Sequence, residues 1–132
     1  MPVQEGVIDA GTGEVTVRAA GTNMSVDIAM STGNGALILG DSTTSQGLYH
    51  CAPHSAFINE VITAADATNT RIDQVILEVL DDTEAAGGSN LARTRVLTGT
   101  ATGGATLDNR TGATALPSSA IRLADILVAA AD

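Results

Sequence analysis

From Asn69 to Asp82 the chain reads NTRIDQVILEVLDD, and apolar residues fill both faces of an extended strand. Val75, Leu77 and Val79 fall on one side, Ile72, Ile76 and Leu80 on the other. An aliphatic, β-branched run that is apolar on both sides marks a central strand covered above and below. This stretch predicts the spine of a β-domain, with Val75, Leu77 and Val79 in its structural core. Arg71 and Asp73 stand at i and i+2, on one face, where the strand leaves the Ala65–Asn69 turn. The default reading is an exposed ion pair worth about 0–1 kcal/mol. The sharper reading is a buried pair that fixes the entry of the strand.

Alternation elsewhere predicts shorter strands. Glu14 to Ala20 (EVTVRAA) sets Val15 and Val17 against Glu14, Thr16 and Arg18. After Gly21-Thr22-Asn23, Met24, Val26, Ile28 and Met30 share one side, so the two runs predict a hairpin with those four residues inward. Ala36 to Leu39 and Gly47 to Ala52 predict two more strands, separated by the polar stretch Gly40–Gly47. Phe57 to Ala64 fits helical spacing as well as a strand, and its shortness favours a strand. Thr83–Asn90 is a Gly-rich loop before a strand over Leu91–Thr100, which pairs with the spine as a long hairpin. Ala92, Thr94, Val96 and Thr98 take one face of that strand and Arg93, Arg95 and Leu97 the other. Thr100–Leu116 reads as a long surface loop. Pro117-Ser118-Ser119 could open a helix, but Ile121, Leu123 and Leu127 alternate as a strand, with a fraying end over Val128–Ala131. The expected fold is all-β, an antiparallel β-sandwich or barrel of about eight short strands. Residues 1–13 form an N-terminal arm or edge strand, and 14–132 a single β-domain.

Composition sharpens this picture. In 132 residues, hydrophobic side chains make up 44% but aromatic ones only 2%, so the core must be aliphatic. All six basic residues are arginines, and fifteen acids bring the formal charge to −9. Such a field repels nucleic acid and anionic lipid, so neither is expected as a partner. The longest apolar runs fall far short of the roughly 20 residues of a membrane helix. No segment has the pattern of a signal peptide, and the expectation is a soluble protein made in the cytoplasm.

Candidate chemistry is sparse. His50-Cys51-Ala52-Pro53-His54 is the one metal-like cluster, yet these are the only Cys and His residues of the chain, and zinc takes four ligands. Strand alternation also points His50 and Cys51 apart, which breaks a Cys–His nucleophilic pair. Asp81, Asp82 and Glu84 could hold Ca²⁺ weakly, but no Asp-x-Asp-x-Asp-Gly loop surrounds them. Gly87-Gly88 and Gly103-Gly104 lack the lysine of a phosphate cradle. The sequence therefore predicts no enzyme, no cofactor and no resident metal.

Five segments carry a resemblance: AAGTNMSVDIA (19–29), QGLYH (46–50), TAADATNTRIDQVILEVLDD (63–82), VLTGTATGGATLDNRTGATALP (96–117) and SAIRLADILV (119–128). In their order and spacing the chain resembles small β-domains of minor tail and baseplate proteins of tailed bacteriophages. The resemblance implies a non-enzymatic virion structural protein in the tail, near the parts that bind the host receptor. It also implies strands for the two ambiguous stretches. Members of the family often continue into longer fibre or adhesin regions. Implied partners are copies of the chain and neighbouring virion proteins, with a host receptor engaged indirectly. The alternative is a capsid-surface decoration, a head-spike base or a collar adaptor. A carbohydrate-binding domain is third, with only Tyr49 and Phe57 to offer as aromatic platforms.

Two segments are poorly able to bury themselves. Met1–Gly13 holds Val3, Val7 and Ile8 without an evident partner strand, and Thr100–Leu116 holds Leu107 and Arg110. Both are expected at subunit contacts, the arm adding to a neighbour's sheet edge and Arg110 pairing with an acid across the contact. The competing reading leaves both as surface segments.

Overall fold

The structure is a computed structural model that describes residues 6–7, 13–17, 24–29, 35–39, 47–51, 57–81 and 90–131. Its elements are β1 (Gly6–Val7), β2 (Val15–Val17), β3 (Ser25–Ile28), β4 (Ala36–Leu39), β5 (Leu48–Cys51), β6 (Phe57–Val61), β7 (Arg71–Asp81), β8 (Asn90–Leu97) and β9 (Ala120–Val128). The fold is all-β, and among the described residues every strand pairing is antiparallel. Three three-stranded sheets have the orders β1-β4-β5, β2-β3-β6 and β8-β7-β9. Both ambiguous stretches are strands, β6 and β9.

The predicted spine is β7, the longest strand, with β8 on one side and β9 on the other. Its eight residues from Arg71 to Glu78 are all buried. The odd-numbered face meets the two smaller sheets. Val75 joins a cluster with Val26, Ile28, Ile62 and Val128. Two residues on, Leu77 joins a second cluster with Ala36, Ile38, Cys51 and Ile121. Val79 lies at the edge of that second cluster and is half-buried. One long strand thus spans both small sheets, which is why a single alternating register organises most of the core.

The even-numbered face is closed differently. Because β8 and β9 flank β7, the chain from Leu97 to Ala120 must cross β7 to reach its place. It crosses on the even side. Gly99 sits so close to β7 that a Cβ there would overlap the Ile72 carbonyl oxygen. The Thr102 amide donates to the Thr70 carbonyl at 2.9 Å, and the Thr70 hydroxyl to the Ala105 carbonyl at 3.1 Å. Inside the crossing, the Thr100 amide donates to the Gly112 carbonyl at 2.8 Å. Gly112 has φ 80° and its Cβ position would overlap the Thr100 carbonyl, so only glycine fits. The segment read as a surface loop is a covering layer held by its own chain.

One register shift explains a misplaced side chain. Val75 lies opposite Ala124 but Ile76 opposite Arg122, so Leu123 is an extra residue in β9. Such a bulge moves the alternation by one position. Ile121 before it and Val128 after it are buried, Leu123 touches both clusters, and Leu127 is turned outward at 44% exposure. Strict alternation had placed Leu127 with Ile121 and Leu123. Met24, expected inward, is 39% exposed, because it lies one residue before β3 begins. Met30 lies outside the described residues.

Candidate functional site

The polar and charged side chains on and around the buried part of β7 fall into three clusters. At the strand's entry, Arg71 Nε donates to Asp73 Oδ1 at 2.9 Å and Arg71 Nη2 to Oδ2 at 3.1 Å. The same guanidinium donates to the Ala64 carbonyl at 2.7 Å and to the Thr63 carbonyl, and Asp73 Oδ1 accepts the Gly99 amide at 3.0 Å. Both side chains are buried, at 5% and 0% exposure. The exposed-pair reading is corrected: both residues belong to the covered odd face of β7, and backbone carbonyls replace the water a surface arginine would use. A buried charge retained in this way has every polar atom matched. It holds the strand's entry and offers nothing to a ligand.

On the even face, Glu78 is 4% exposed and lies directly across from Arg93, whose Nε reaches its Oε1 at 2.6 Å. Arg95 Nη2 donates to the other carboxylate oxygen at 3.1 Å. Two half-exposed arginines therefore share one sunken carboxylate. Two residues along the same face is Gln74, which lies opposite Asp125 of β9. Arg110 reaches down from the crossing segment to both, donating to Asp125 at 2.8 Å and to Gln74 Oε1 at 2.9 Å. Gln74 Nε2 in turn donates to the Thr114 carbonyl. Arg110 was expected to find its acid across a subunit contact. It finds one within the chain, because the β7–β9 register brings Asp125 beneath it. Arg110 itself has a φ of 51°, in the left-handed region that non-glycine residues rarely adopt.

Two surface hollows border these clusters. A cleft of about 630 Å³ lies over Gln74, lined by Asn109, Arg110, Thr114, Leu116 and Arg122. A larger groove of about 680 Å³ opens where β9 faces β3, lined among others by Met24, Ser25, Val26, Leu107, Leu127 and Val128. Its rim is apolar and open: Leu107 is 50% exposed, Leu127 44% and Met24 39%. Its wall contains the Ser25 hydroxyl, which is buried and has no hydrogen-bond partner among the described residues. Leu107 is thus as open as a contact residue must be. The other expected contact residues fare differently. Gly6 and Val7 pair with Leu37 and Ala36 of the same chain, so this part of the arm adds to its own sheet. Val3 and Ile8 lie outside the described residues.

The remaining candidates are placed as follows. His50 is exposed and Cys51 buried, on opposite sides of β5, and His54 lies outside the described residues. Burial raises the Cys51 pKa above the ordinary thiol value. Tyr49 donates its hydroxyl to Asp81 at 2.7 Å, which ties down one of the two aromatic rings. Asp82 and Glu84 lie outside the described residues. Among the described residues no group of three His, Cys, Asp or Glu side chains is gathered for a metal. Among the described residues no helix is long and apolar enough to cross a membrane. Sequence reasoning passed over Gln74, Glu78, Arg122 and Asp125 as functional residues, because the register that unites them joins segments about 50 positions apart, as in Gln74 opposite Asp125. Arg93 and Arg95 on one face of a strand were the visible part of that cluster. No family model, curated protein or solved structure matches this chain.

Proposed function

We propose that the chain is a non-enzymatic structural module of a tailed-bacteriophage virion, placed in the tail or baseplate and working in contact with copies of itself and with neighbouring virion proteins. The observation that carries the assembly part is the groove between β9 and β3. Three large apolar side chains stand open on its rim and a buried hydroxyl in its wall lacks a partner among the described residues. Contiguous exposed apolar surface of this kind marks contact sites. The charged groups point the same way, since Arg71, Asp73, Glu78 and Asp125 are matched to one another or to neighbouring arginines rather than gathered around an open reaction centre. The virion assignment itself rests on the resemblance in the five segments described above.

Electron microscopy of virions assembled with a labelled copy of the chain tests the placement. Label at the tail tip is the expected result. Label on the capsid surface would move the protein to the decoration class, and purified virions without label would overturn the reading. For the groove, Leu107→Ser combined with Leu127→Ser should weaken association while leaving the melting temperature nearly unchanged, because both side chains are already exposed.

A further inference from the structure

The long sheet ends in β9, which has β7 on one side and, among the described residues, no strand on the other. The Val79 amide donates to the Ser119 carbonyl at 2.9 Å, so the odd-numbered residues of β7 are those that exchange backbone hydrogen bonds with β9. Arg122, Asp125 and Leu127 lie opposite the even-numbered Ile76, Gln74 and Ile72. Their amides and carbonyls therefore turn away from β7 to the open edge, where no partner takes them among the described residues. The groove beside β9 runs along this edge: Ala124 to Ala129 all line it, although neighbours on a strand point to opposite faces. The open stretch begins at Arg122, since Ala120 and Ile121 are buried. The Arg122 side chain is 42% exposed, with the Asp125 carboxylate 3.6 Å away. It is the bulge at Leu123 that sets these two residues, three positions apart, on one face. Arg110 also holds Asp125, and the exposed Asp108 follows Leu107 of the groove's rim. Arg110 and Arg122 are thus balanced at this edge by Asp108 and Asp125.

We propose that two copies of the chain join through this edge, β9 to β9, antiparallel about a twofold axis, with Arg122 of each copy opposite Asp125 of the other. The inference rests on the self-assembly reading above and names the strand and the register of that contact. Charge chooses the register. Moving the strands by three residues either way sets Arg122 against Arg122 or Asp125 against Asp125, and like charges directly opposite are destabilising. Where Arg122 faces Asp125, both residues turn amide and carbonyl outward, so each pair can exchange both backbone bonds. Both side chains lie on the even face, and a twofold axis perpendicular to the sheet keeps that face continuous across the junction. The bulge does not interrupt the pairing, because each strand carries its extra residue between these two positions and the spans match. The sheet β8-β7-β9 of one copy thereby continues into β9-β7-β8 of the second. The contact closes the unpaired edge and uses the same patch on both copies. Pairing through the backbone selects an extended strand as the occupant of the edge.

Amide hydrogen exchange of the full chain, read residue by residue by NMR below and above the concentration at which sedimentation shows association, tests this. The expected result is a wild-type dimer in which the Arg122 and Asp125 amides exchange at least about tenfold more slowly than in the monomer. Arg122→Glu, which sets an acid opposite Asp125, should weaken dimerisation at least about tenfold. Its folding is checked by thermal melting, and Arg122→Gln, which gives up only the 3.6 Å contact with Asp125, replaces it if the first variant melts early. A dimer in which both amides exchange as they do in the monomer would overturn the β9 edge as the contact while leaving self-assembly standing. Protected amides in a folded variant that dimerises as tightly as wild type would overturn the charge-set register, and the proposal with it. A wild-type chain that stays monomeric at every concentration would overturn both the edge pairing and the self-contact on which it rests.

Discussion

On the odd face of β7, Val75 and Leu77 enter two aliphatic clusters built by strands from both smaller sheets. On the even face, Gln74 and Glu78 are equally buried, yet what buries them is a non-strand crossing segment and a set of arginines. The first face is closed by area removed from water, which is insensitive to the direction of each contact. The second is closed by a smaller apolar cluster of Ile76, Leu97 and Ala120 and, at Gln74 and Glu78, by directed hydrogen bonds, each of which must be made or leave a buried polar atom without a partner. The difference teaches why the chemistry-bearing side chains of this molecule are structural on one side and available on the other. A matched pair sealed beneath backbone carbonyls, such as Arg71–Asp73, has no free valence. Arginines anchored from below by a sunken acid keep an outward edge.

The comparison can be broken by substitution. Asp73→Ala should have the largest effect, about 3–5 kcal/mol, because it strands the buried Arg71 guanidinium and the Gly99 amide together. Denaturant unfolding measures it, and a loss below about 1 kcal/mol would return the pair to the exposed class. Leu77→Ala, on the apolar side, should cost about 2–5 kcal/mol, since the residue is fully buried in its cluster. A small effect there would mean that the strand is peripheral. Gly112→Ala probes the crossing segment alone. With φ at 80° and the Thr100 carbonyl in the way, it should destabilise by about 1–3 kcal/mol, read as a shift in the denaturant midpoint.

The smallest effect concerns the turn that feeds β7. The amides of Thr68 and Asn69 hydrogen-bond the Asp66 carboxylate at 2.9 and 2.8 Å and hold its pKa below the ordinary value. A lowered folded-state pKa contributes stability that is present above the unfolded value and lost as pH falls through the folded one. The turn should therefore weaken only below about pH 4, where carboxylates begin to protonate. An acid titration of wild type against Asp66→Ala should converge in that window, and curves that stay parallel there would remove Asp66 from the turn's stability.

Much of the fold was legible because the hydrophobic pattern is local. The double-sided apolar run from Ile72 to Leu80 placed β7, and the alternation around Val15–Val17 and Val26–Ile28 placed a hairpin that pairs in register. What escaped was non-local. The bulge at Leu123 depends on how β9 meets β7, so Leu127 was assigned to the wrong face. Arg110 and Asp125 are fifteen positions apart, and only the crossing of the long segment over β7 brings them together. That crossing follows from the strand order β8-β7-β9, which no pattern of hydrophobicity within the segment encodes. The Arg71–Asp73 spacing was visible, but its burial was decided by the carbonyls of Thr63 and Ala64 bending over it.

Native-state hydrogen exchange tests most directly the claim that a non-strand segment is the second cover of β7. Amides from Gln74 to Glu78, between two partner strands, should exchange only through global unfolding. The Thr100 and Thr102 amides, donated to the Gly112 and Thr70 carbonyls, should be protected to a degree comparable with β8. Exchange of Thr100 and Thr102 at the rate of an unstructured chain, with β7 still protected, would contradict the account and leave the even face of β7 without its lid.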